Sequence, residues 1–477
     1  MHSEVIAVET QRILDNFEKQ KKRSLLLRSE SVADRKKRIS AFGDFLLKNK
    51  ERISEAVFKD FRKPSVESDI SELYPVLTEI RHTIANLDDW AAPKKIDAPL
   101  TYLGTRSEVR YEPKGVCLVI APWNFPFNLS IGPLISCLAA GNTAVIKPSE
   151  ITPYTSQMIA NLISEFFDDD IVTVVEGGQS VSEQLLSLPF DHIFFTGSPS
   201  IGKIVMKAAA ENLTSVTLEL GGKSPAIIDA TANLDDAATR IAFGKFLNNG
   251  QTCIAPDYVL IEESVQEEFI GLLKSETLKM FGQNGTINEP SPNYARIVNR
   301  SHFDRLNKIL SDAVEKGAKI ELSGPVNSET NFIHPVILTN VAPNSKVLQE
   351  EIFGPILPIV PFHTVEQVTY LINSKPKPLA LYIFSKKKSF REKILTQTSA
   401  GSVGINECIM QFTHPNLPFG GVNNSGIGKS HGRYGFLAFS NEKPILKQKN
   451  GFSMPYLLHP PYTNFRKKLV SLMLRWF

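Results

Sequence analysis

One cysteine of the chain, Cys253, stands in a setting that suits a catalytic nucleophile. It follows Gly250-Gln251-Thr252, a flexible bend whose backbone amides could converge on a developing charge. The other three cysteines differ, because Cys117 and Cys137 lie among apolar neighbours and Cys408 follows a loop. A lone cysteine is commonly a small buried hydrophobic residue. The local sequence therefore leaves both a catalytic and a structural interpretation of Cys253 open.

Glu219 is the candidate base that would accompany this thiol. It interrupts the apolar run Val216–Leu220, and the Gly221-Gly222 turn that follows indicates close approach of the backbone to a neighbour. Desolvation there would raise the pKa of the carboxyl group toward that of a useful base. A half-exposed structural carboxylate is the alternative. A nucleophile and a base together are what covalent catalysis with a separate release step requires.

Asn124 is the third candidate group. It lies in the segment Ala121–Pro126, directly after an apolar strand predicted at Val116–Ile120. An amide at the carboxyl end of a strand can donate to an oxyanion, and one such donor is typically worth about 2.7–4 kcal/mol in the transition state. An asparagine that completes a turn between Pro122 and Pro126 is the alternative.

Two further segments suit the binding of a nucleotide. Lys147–Glu150 follows a predicted strand, where a ribose would lie. Thr196–Ser198 leads into a helix whose N-terminal amides could face a pyrophosphate. Gly197 and Gly202 are five positions apart (202 − 197), so this is not the GxGxxG dinucleotide motif. The glycine pattern is weak, and it gains weight only from its strand–turn–helix setting.

The elements that must position these groups alternate between strands and helices. Short β-rich runs are separated by helical segments near 129–140, 153–167 and 200–210, which predicts βαβ units and a parallel, doubly wound sheet. Ligands of such sheets lie at the carboxyl ends of the strands. The predicted strands are Val116–Ile120, Thr143–Ile146, Ile171–Val175, His192–Phe195 and Val216–Leu220.

The flanking regions show other patterns. Residues 1 to about 95 have apolar positions at helical spacing, and residues 98–113 suit an extended hairpin or arm outside the main body. A second alternating block from Ala226 to about 400 predicts a second α/β domain. Residues 401–450 are rich in glycine, asparagine and serine, which predicts loops with a last strand at 443–448.

Length and composition are those of an ordinary globular protein of two or three domains. The chain has 477 residues, of which 42% are hydrophobic and 22% charged, and its net charge of +3 gives no global case for nucleic-acid binding. The four cysteines form no CxxC pair and the nine histidines no ligand cluster, so we expect no metal and a reducing compartment. The N-terminus does not have the pattern of a signal peptide, and no apolar run reaches the roughly 18–20 residues that span a bilayer. We therefore expect a cytoplasmic protein.

In their order and spacing, these segments resemble the aldehyde dehydrogenase superfamily. The resemblance extends from about residue 5 to 450, nearly the whole chain. The short N-terminus, Ala255–Tyr258 and Leu417–Gly428 are similar to the class 3 and fatty aldehyde dehydrogenase branch, although that family usually has glycine at the position of Asn423. The motifs that carry the resemblance are Glu219-Leu-Gly-Gly-Lys, Gly250-Gln-Thr-Cys253, Pro122-Trp-Asn124-Phe-Pro, Lys147-Pro-Ser-Glu150, Thr196-Gly-Ser198 and Glu351-Ile-Phe353-Gly-Pro.

The resemblance implies an α/β fold with a Rossmann-type parallel-sheet cofactor domain, an α/β catalytic domain and a small β oligomerisation arm. The dinucleotide-binding domain would comprise residues 1–95 and 114–220, and the catalytic domain residues 221–425. Residues 96–113 and 426–450 would form the bridging arm of a homodimer. Residues 451–477 would follow as a linker and an amphipathic helix.

The resemblance also implies a role for each candidate residue. The Cys253 thiolate would attack the aldehyde carbon, while the Asn124 amide and the Cys253 backbone amide would hold the oxyanion of the thiohemiacetal. Hydride transfer to a nicotinamide would leave a thioester, from which water activated by Glu219 would release the acid. The implied cofactor residues are Lys147 and Glu150 at the adenosine ribose, Ser198 at the pyrophosphate, and Glu351 and Phe353 at the nicotinamide, with Thr196, Gly197, Gly202 and Leu220 beside them.

The cofactor and the aldehyde follow from the character of these residues. Glu150 near a 2′-hydroxyl favours NAD, since a 2′-phosphate would meet like charge, although members of this branch often use NADP as well. Medium- or long-chain aliphatic, or aromatic, aldehydes are the expected substrates, because the residues beside the motifs are apolar and include no arginine that would hold a second carboxylate. A small polar aldehyde or semialdehyde, or a non-catalytic binding or structural protein of this fold, are the alternatives. The candidate substrate residues are Trp123, Phe125, Ile254, Ile409, Met410 and Phe412.

The C-terminal segment 464–477 has an amphipathic pattern. It places Phe465, Leu469, Leu472 and Trp476 on one helical face, with charged or polar residues on the other. It is too short to cross a bilayer. It could lie on a membrane surface, cap a pocket of this or a partner subunit, or pack as a terminal helix.

Overall fold

Two α/β domains make up most of the part of the chain that this computed structural model describes, which is residues 2–99, 102–283, 285–451, 456 and 458–476. The first domain contains a sheet of six described strands, parallel except for the last. In sheet order these strands are β5 (Val172–Val174), β4 (Thr143–Lys147), β3 (Val116–Ile120), β6 (His192–Gly197), β7 (Ser215–Leu220) and β17 (Gly426–Ile427).

Helices cover both faces of this sheet, and β3 and β4 are therefore buried along their whole length. Helix α6 is itself mostly buried and ends at Gly141, whose φ of 89° suits glycine. Helix α9 begins after Ser198, whose hydroxyl accepts a hydrogen bond from the Ile201 amide. The helices are α1 (His2–Leu27), α2 (Val32–Lys48), α3 (Lys50–Phe61), α4 (Ser65–Ser68), α5 (Tyr74–Ala91), α6 (Asn128–Ala140), α7 (Pro153–Phe166), α8 (Gln179–Leu186), α9 (Pro199–Glu211) and α17 (Gly432–Ala438), with a π-helical turn at Asp69–Leu73.

The second domain contains a sheet of seven described strands, of which the first is antiparallel to its neighbour and the others are parallel. In sheet order they are β10 (Lys319–Leu322), β13 (Val336–Thr339), β14 (Ile356–Phe362), β9 (Tyr258–Glu262), β8 (Pro225–Ile228), β15 (Ala380–Phe384) and β16 (Ser402–Ile405). A small ribbon joins β11 (Val326–Asn327) and β12 (Phe332–Ile333). The helices are α10 (Leu234–Phe246), α11 (Gln266–Phe281), α12 (Arg300–Glu315), α13 (Lys346–Gln349), α14 (Val365–Asn373), α15 (Lys388–Gln397) and α16 (Met410–Thr413), with 3₁₀ turns at Leu247–Gly250 and Glu263–Val265.

An antiparallel arm projects from the two domains. Its strands are β1 (Lys94–Ile96), β2 (Thr105–Pro113) and β18 (Ser440–Gln448). The long strands pair from Ser440 opposite Pro113 to Gln448 opposite Thr105. Most residues of β18 are exposed, so one edge and much of the surface of the arm face solvent.

The structure confirms the predicted α/β fold with parallel-sheet domains, and it places strands at each of the five predicted β-rich runs. Residues 401–450 differ from the prediction of loops, because β16, α16 and α17 form there as well as a last strand. Residues 426–439 also differ from their predicted place in the arm. β17 pairs with β7, and α17 packs on α5 and α6, so this segment belongs with the first domain.

The C-terminal segment ends in α18 (Asn464–Trp476). Phe465 and Leu472 of the predicted apolar face are exposed and Leu469 is partly exposed, whereas the side chain of Trp476 lies outside the described part. Of the helices that the structure describes, none is long and apolar enough to cross a membrane.

Candidate active site

Cys253, Glu219 and Asn124 line one cavity of about 230 Å³ between the two domains. Glu219 is in β7, at the carboxyl edge of the first sheet, and Asn124 follows β3 at the same edge. Cys253 arrives from the second domain, in the segment that joins α10 to β9. The structure thus brings together the three groups that sequence analysis selected from distant parts of the chain.

The loop before Cys253 has a backbone shape that few sequences allow. Asn248 and Asn249 have φ values of 52° and 55°, in the left-handed region that asparagine tolerates better than most residues. Gly250 follows with φ of 75°, and a Cβ there would lie 2.3 Å from the Gly354 carbonyl oxygen. The cysteine loop is therefore pressed against the segment that carries Glu351 and Phe353.

The Cys253 thiol is held in its neutral form by its surroundings. Burial, followed by the charges of Glu219 and Glu351, raises the pKa of the thiol to about 12. The backbone amides of Cys253 and Ile254 oppose this by stabilising the thiolate. These amides therefore point toward sulfur, where a tetrahedral oxyanion would also form.

Asn124 is fixed against the same loop by hydrogen bonds at both its side chain and its backbone. Its amide Nδ2 donates to the Gln251 carbonyl oxygen at 3.1 Å, and its own carbonyl oxygen accepts from Asn248 Nδ2 at 2.8 Å. Asn124 is 3% exposed, so its amide acts in a site from which bulk water is largely excluded. Such an amide is preorganised to stabilise negative charge.

Glu219 is a buried carboxylate with the proton affinity of a neutral-pH base. It is 4% exposed, and the Ser430 hydroxyl donates a hydrogen bond to its Oε1. Burial raises the pKa of Glu219 to about 7, although Ser430 and the charge of Lys429 act in the opposite direction. Ser430 and Lys429 lie in the segment that sequence analysis assigned to the arm, which is why neither was a candidate.

Most of the predicted cofactor residues line the cavity of about 230 Å³ on one side of the thiol. Glu351 is anchored there, because its Oε1 accepts from the Gly222 amide at 3.1 Å. A Cβ at Gly221 would lie 2.4 Å from the Glu351 carboxylate, which explains the need for glycine in that turn. The predicted cofactor residues on this cavity are Thr196, Gly197, Ser198, Leu220, Glu351 and Phe353.

Three predicted cofactor residues do not line this cavity. Lys147 is buried at the carboxyl end of β4, and its Nζ lies 2.5 Å from Glu150 Oε2. Gly202 is instead a packing residue, because a Cβ at this position would lie 2.7 Å from Leu220 Cδ2. Since glycine has no side chain, the first turn of α9 can approach β7 closely.

The cavity has features that fit a dinucleotide. Among the described residues, the Thr196 hydroxyl is buried without a hydrogen-bond partner, so a ligand in the cavity that it lines could satisfy it. Ser198 stands at the N-terminus of α9, where backbone amides and the helix dipole favour a pyrophosphate. Lys147 and Glu150 lie at the carboxyl end of a neighbouring strand, which suits an adenosine ribose.

A second cavity of about 340 Å³ opens on the other side of Cys253. Phe125, Ile254, Ile409, Met410 and Phe412 line it, as expected of substrate residues. Among the described residues on its wall, none carries a charged side chain. The apolar lining includes further residues without a motif of their own, namely Ile70, Tyr74, Leu129, Phe243 and Leu247.

Trp123, also a predicted substrate residue, lies on a different wall from the other five. It lines the first cavity, where its ring lies 4.7 Å from that of His302 and 5.2 Å from that of Phe353, between centroids. Adjacent aromatic side chains of one loop therefore face different cavities: Phe125 the apolar one and Trp123 the one beside Glu351.

His302 and Arg305, both on α12, also line the first cavity, and sequence analysis missed them. Arg305 donates to the carbonyl oxygens of Glu351 at 3.2 Å and Ile352 at 2.6 Å, so it holds the loop that presents Glu351. Both are polar residues on an ordinary amphipathic helix, a pattern that gives no local signal of a site.

Comparison with known proteins extends these observations to the whole chain. The model of the aldehyde dehydrogenase family matches residues 4–445. The chain is 42% identical over 435 residues to mouse (Mus musculus) aldehyde dehydrogenase family 3 member A2, covering 91% of this chain and 88% of that protein. It is also 42% identical over 434 residues to the 4,4′-diaponeurosporen-aldehyde dehydrogenase of Staphylococcus aureus, covering 91% of this chain and 93% of that protein.

Solved structures agree with the sequence matches. A structure described as the substrate-bound state of Staphylococcus aureus AldH superposes with a TM-score of 0.92 and 40% identity, covering 97% of this chain and 99% of that one. The crystal structure of an aldehyde dehydrogenase from Brucella melitensis biovar abortus 2308 superposes with a TM-score of 0.85 and 27% identity, covering 93% of this chain and 90% of that one. Matches of this extent in both sequence and structure show that the chain belongs to the aldehyde dehydrogenase family.

Proposed function

We propose that this aldehyde dehydrogenase oxidises medium- or long-chain aliphatic, or aromatic, aldehydes to carboxylic acids with NAD or NADP, through covalent intermediates on Cys253. The observation that carries the proposal is the position of Cys253, which lines both the cavity beside Glu351 and the apolar cavity. An aldehyde bound in the apolar cavity and a cofactor bound in the cavity beside Glu351 would then meet at sulfur.

In the first half of the reaction, the thiol loses its proton and attacks the carbonyl carbon. The proton of the thiol passes to water, and the backbone amides of Cys253 and Ile254 stabilise the thiolate that attacks. The oxyanion of the thiohemiacetal would accept hydrogen bonds from the Asn124 amide and the Cys253 backbone N–H. NAD or NADP, when bound, supplies the hydride acceptor, and loss of hydride leaves a thioester on Cys253.

In the second half, water hydrolyses the thioester. Glu219 takes a proton from this water, because its pKa near 7 makes it both available and basic at neutral pH. The C–S bond breaks, the acid leaves, and the Cys253 thiol is restored. A carboxylate ready to activate water also argues against transfer of the acyl group to a thiol acceptor such as coenzyme A.

The residues near the nucleotide favour NAD. Glu150 stands where the adenosine ribose would lie, and its carboxylate can accept from a 2′-hydroxyl but repels a 2′-phosphate. Lys147, which is paired with Glu150, reduces that repulsion without removing it. NADP is therefore the weaker cofactor in this proposal.

The aldehyde class follows from the apolar cavity. Burial of each methylene group is worth about 0.8 kcal/mol, so kcat/KM should rise up to about fourfold per added carbon until the cavity of about 340 Å³ is filled. A semialdehyde would bring a second carboxylate to a wall on which the described residues carry no compensating cation. A small polar substrate is disfavoured for the same reason.

The test is a panel of propanal, hexanal, decanal, benzaldehyde and succinic semialdehyde, run with NAD and with NADP while the reduced cofactor is followed. We expect decanal to exceed propanal, succinic semialdehyde to be the poorest substrate, and Cys253→Ala to be inactive. Failure of the native enzyme on every aldehyde, or undiminished activity of Cys253→Ala, would refute the mechanism.

We further propose a cytoplasmic homodimer. The exposed arm, with Ile96 and Leu446 among its exposed apolar residues, is the surface that a second copy would cover. Light scattering tests the dimer.

The exposed apolar residues of α18, such as Phe465 and Leu472, would contact either the mouth of the apolar cavity or a membrane surface. Truncation after Asn450 tests α18, since an unchanged ratio of decanal to propanal turnover would show that it does not select chain length.

A further inference from the structure

The proposed reaction releases protons at a base that bulk solvent barely reaches. Oxidation of an aldehyde by water and NAD yields a carboxylate, reduced cofactor and two protons. Glu219 would take the proton of the hydrolytic water, yet it is only 4% exposed. A proton left on Glu219 would block the next hydrolysis, so the base needs a way to discharge it.

Glu219 also lines a third, small cavity. It has a volume of about 50 Å³, which is enough for water molecules. Glu219 and Ser430 stand on its wall, and so does a second carboxylate, Glu79. A buried water molecule needs about two to four hydrogen-bond partners, and these three polar groups can supply them.

Glu79 lies nearer to solvent than Glu219 does. It is on α5, and the residue as a whole is partly exposed although its carboxyl group is largely desolvated, whereas Glu219 is buried. Its Oε1 accepts from the Gly432 amide at 2.9 Å, and Ser136 supplies a second hydrogen bond, so the carboxylate is held at the cavity from α17 and α6. These contacts use acceptor positions only and leave the carboxylate able to accept a proton.

We propose that Glu79 receives, through water in this cavity, the proton that Glu219 takes from the hydrolytic water, and releases it to solvent. The inference rests on the proposed function. One O–H bond of water breaks as its oxygen bonds to the acyl carbon, and the proton resides first on Glu219, then on Glu79 and finally in bulk water. Glu79 does not touch the substrate, so its part is to regenerate the base.

The energetics of the two carboxylates are compatible with transfer in either direction. Burial raises the pKa of Glu79 and of Glu219 to about 7 in both cases, so moving the proton between them costs little. The other titratable groups near the pair include Tyr74 on the cavity wall, Cys253, His414 and Lys429, together with His82 and His431, whose pKa values burial lowers. The low pKa of His431, about 4, excludes it as a resting place for the proton at neutral pH.

The test compares thioester hydrolysis in the native enzyme and in Glu79→Gln, a substitution that keeps size and hydrogen bonding but cannot carry the proton. Rapid quenching and intact mass spectrometry follow the acyl-enzyme over successive turnovers with excess NAD and hexanal. We expect the burst of reduced cofactor to be unchanged and acyl-enzyme decay in the later turnovers to slow about tenfold, which is less than the roughly 10²–10⁴-fold of a direct general base. Glu321→Gln, at a half-buried carboxylate that lines none of the three cavities, is the matched control and should behave as the native enzyme.

A readout by chemical rescue separates proton transfer from packing. Glu79→Ala opens space for formate, and we expect added formate to accelerate its acyl-enzyme decay with a rate that depends on formate concentration. Native-like decay in Glu79→Gln across pH 6–9, or failure of formate to accelerate decay in Glu79→Ala, would overturn the proposal. Failure of the proposed function itself would look different, because the native enzyme would then give no burst and no acyl-enzyme.

Discussion

The Glu67 carboxylate accepts a hydrogen bond at 2.8 Å from the backbone amide of Asn248, in the loop before Cys253. Asn248 in turn donates from Nδ2 to the carbonyl oxygens of Asn124 at 2.8 Å and Gln251 at 3.1 Å. A side chain of the first domain therefore helps to set the position of Asn124, the proposed oxyanion donor, relative to a loop that belongs to the second domain.

Glu67→Ala should damage both stability and catalysis. The substitution leaves the buried Asn248 amide without its acceptor, which costs about 1–3 kcal/mol of unfolding free energy. Loosening of Asn124 should also lower kcat/KM. Glu67→Gln keeps an acceptor oxygen and should be milder in both respects. Thermal unfolding and steady-state kinetics of the two variants measure this, and equal defects in both would show that the charge of Glu67 matters instead.

Glu219→Gln should separate the two halves of the reaction. The amide cannot accept the proton of the hydrolytic water, so the thioester should persist while the first hydride transfer still occurs. We expect a burst of reduced cofactor close to one per active site, followed by turnover slowed by roughly 10²–10⁴-fold. Stopped-flow absorbance resolves the two phases. Loss of the burst with cofactor still bound would mean that Glu219 is needed to form the thiolate as well.

The same variant should change how stability depends on pH. The pKa of Glu219 is about 7 in the folded protein and about 4.3 in an unfolded chain. The folded state thus holds this proton more tightly than the unfolded state does. The contribution of the proton to the free energy of unfolding is fully present below about pH 4.3 and is lost as the pH rises toward 7. The Tm of Glu219→Gln relative to the native enzyme should therefore increase between pH 5 and pH 8.

A control for that experiment is Glu321→Gln. The hydrogen bond to Lys319 lowers the pKa of Glu321, so its carboxylate is already ionised in both the folded and the unfolded protein at pH 5. Its Tm difference from the native enzyme should stay constant from pH 5 to pH 8. If the Tm difference from the native enzyme changed with pH as steeply for Glu321→Gln as for Glu219→Gln, the effect would come from net charge and not from the raised pKa of Glu219.

Trp123 and Phe125 should affect different ligands although they flank the same asparagine. Phe125 lines the apolar cavity, so Phe125→Ala should lower kcat/KM for decanal more than for propanal. Trp123 packs against His302 and Phe353, so Trp123→Ala should weaken cofactor binding and leave the preference for chain length unchanged. Fluorescence titration with NAD and the aldehyde panel distinguish the two outcomes, and a shifted chain-length preference in Trp123→Ala would contradict the assignment.

The sequence predicted those parts of the molecule that depend on local pattern. Apolar runs such as Val116–Ile120 become buried parallel strands, and the polar groups that follow them meet because parallel strands end at a common edge. The sequence could not show which way neighbouring side chains point in an irregular loop, and so it did not separate Trp123 from Phe125, which line different cavities. Nor could it reveal Glu79 or Arg305, which are charged residues at unremarkable helical positions and reach the site only through tertiary packing.

Pairing between distant segments was equally hidden. The two residues of β17 are too few to register as a strand, yet their pairing with β7 brings Ser430 to Glu219. The composition of this segment, rich in glycine and serine, predicts a loop, and only its tertiary contacts show that it packs against Glu219.

The presence of Cys253 on the walls of two cavities has a kinetic consequence for the proposed reaction. With the cofactor in one cavity and the acyl chain in the other, the reduced cofactor would depart while the acyl group is still attached to sulfur. Product inhibition should reflect this arrangement. The acid should compete with the aldehyde, and the reduced cofactor should compete with NAD. The acid should not prevent NAD from binding, and the reduced cofactor should not prevent the aldehyde from binding.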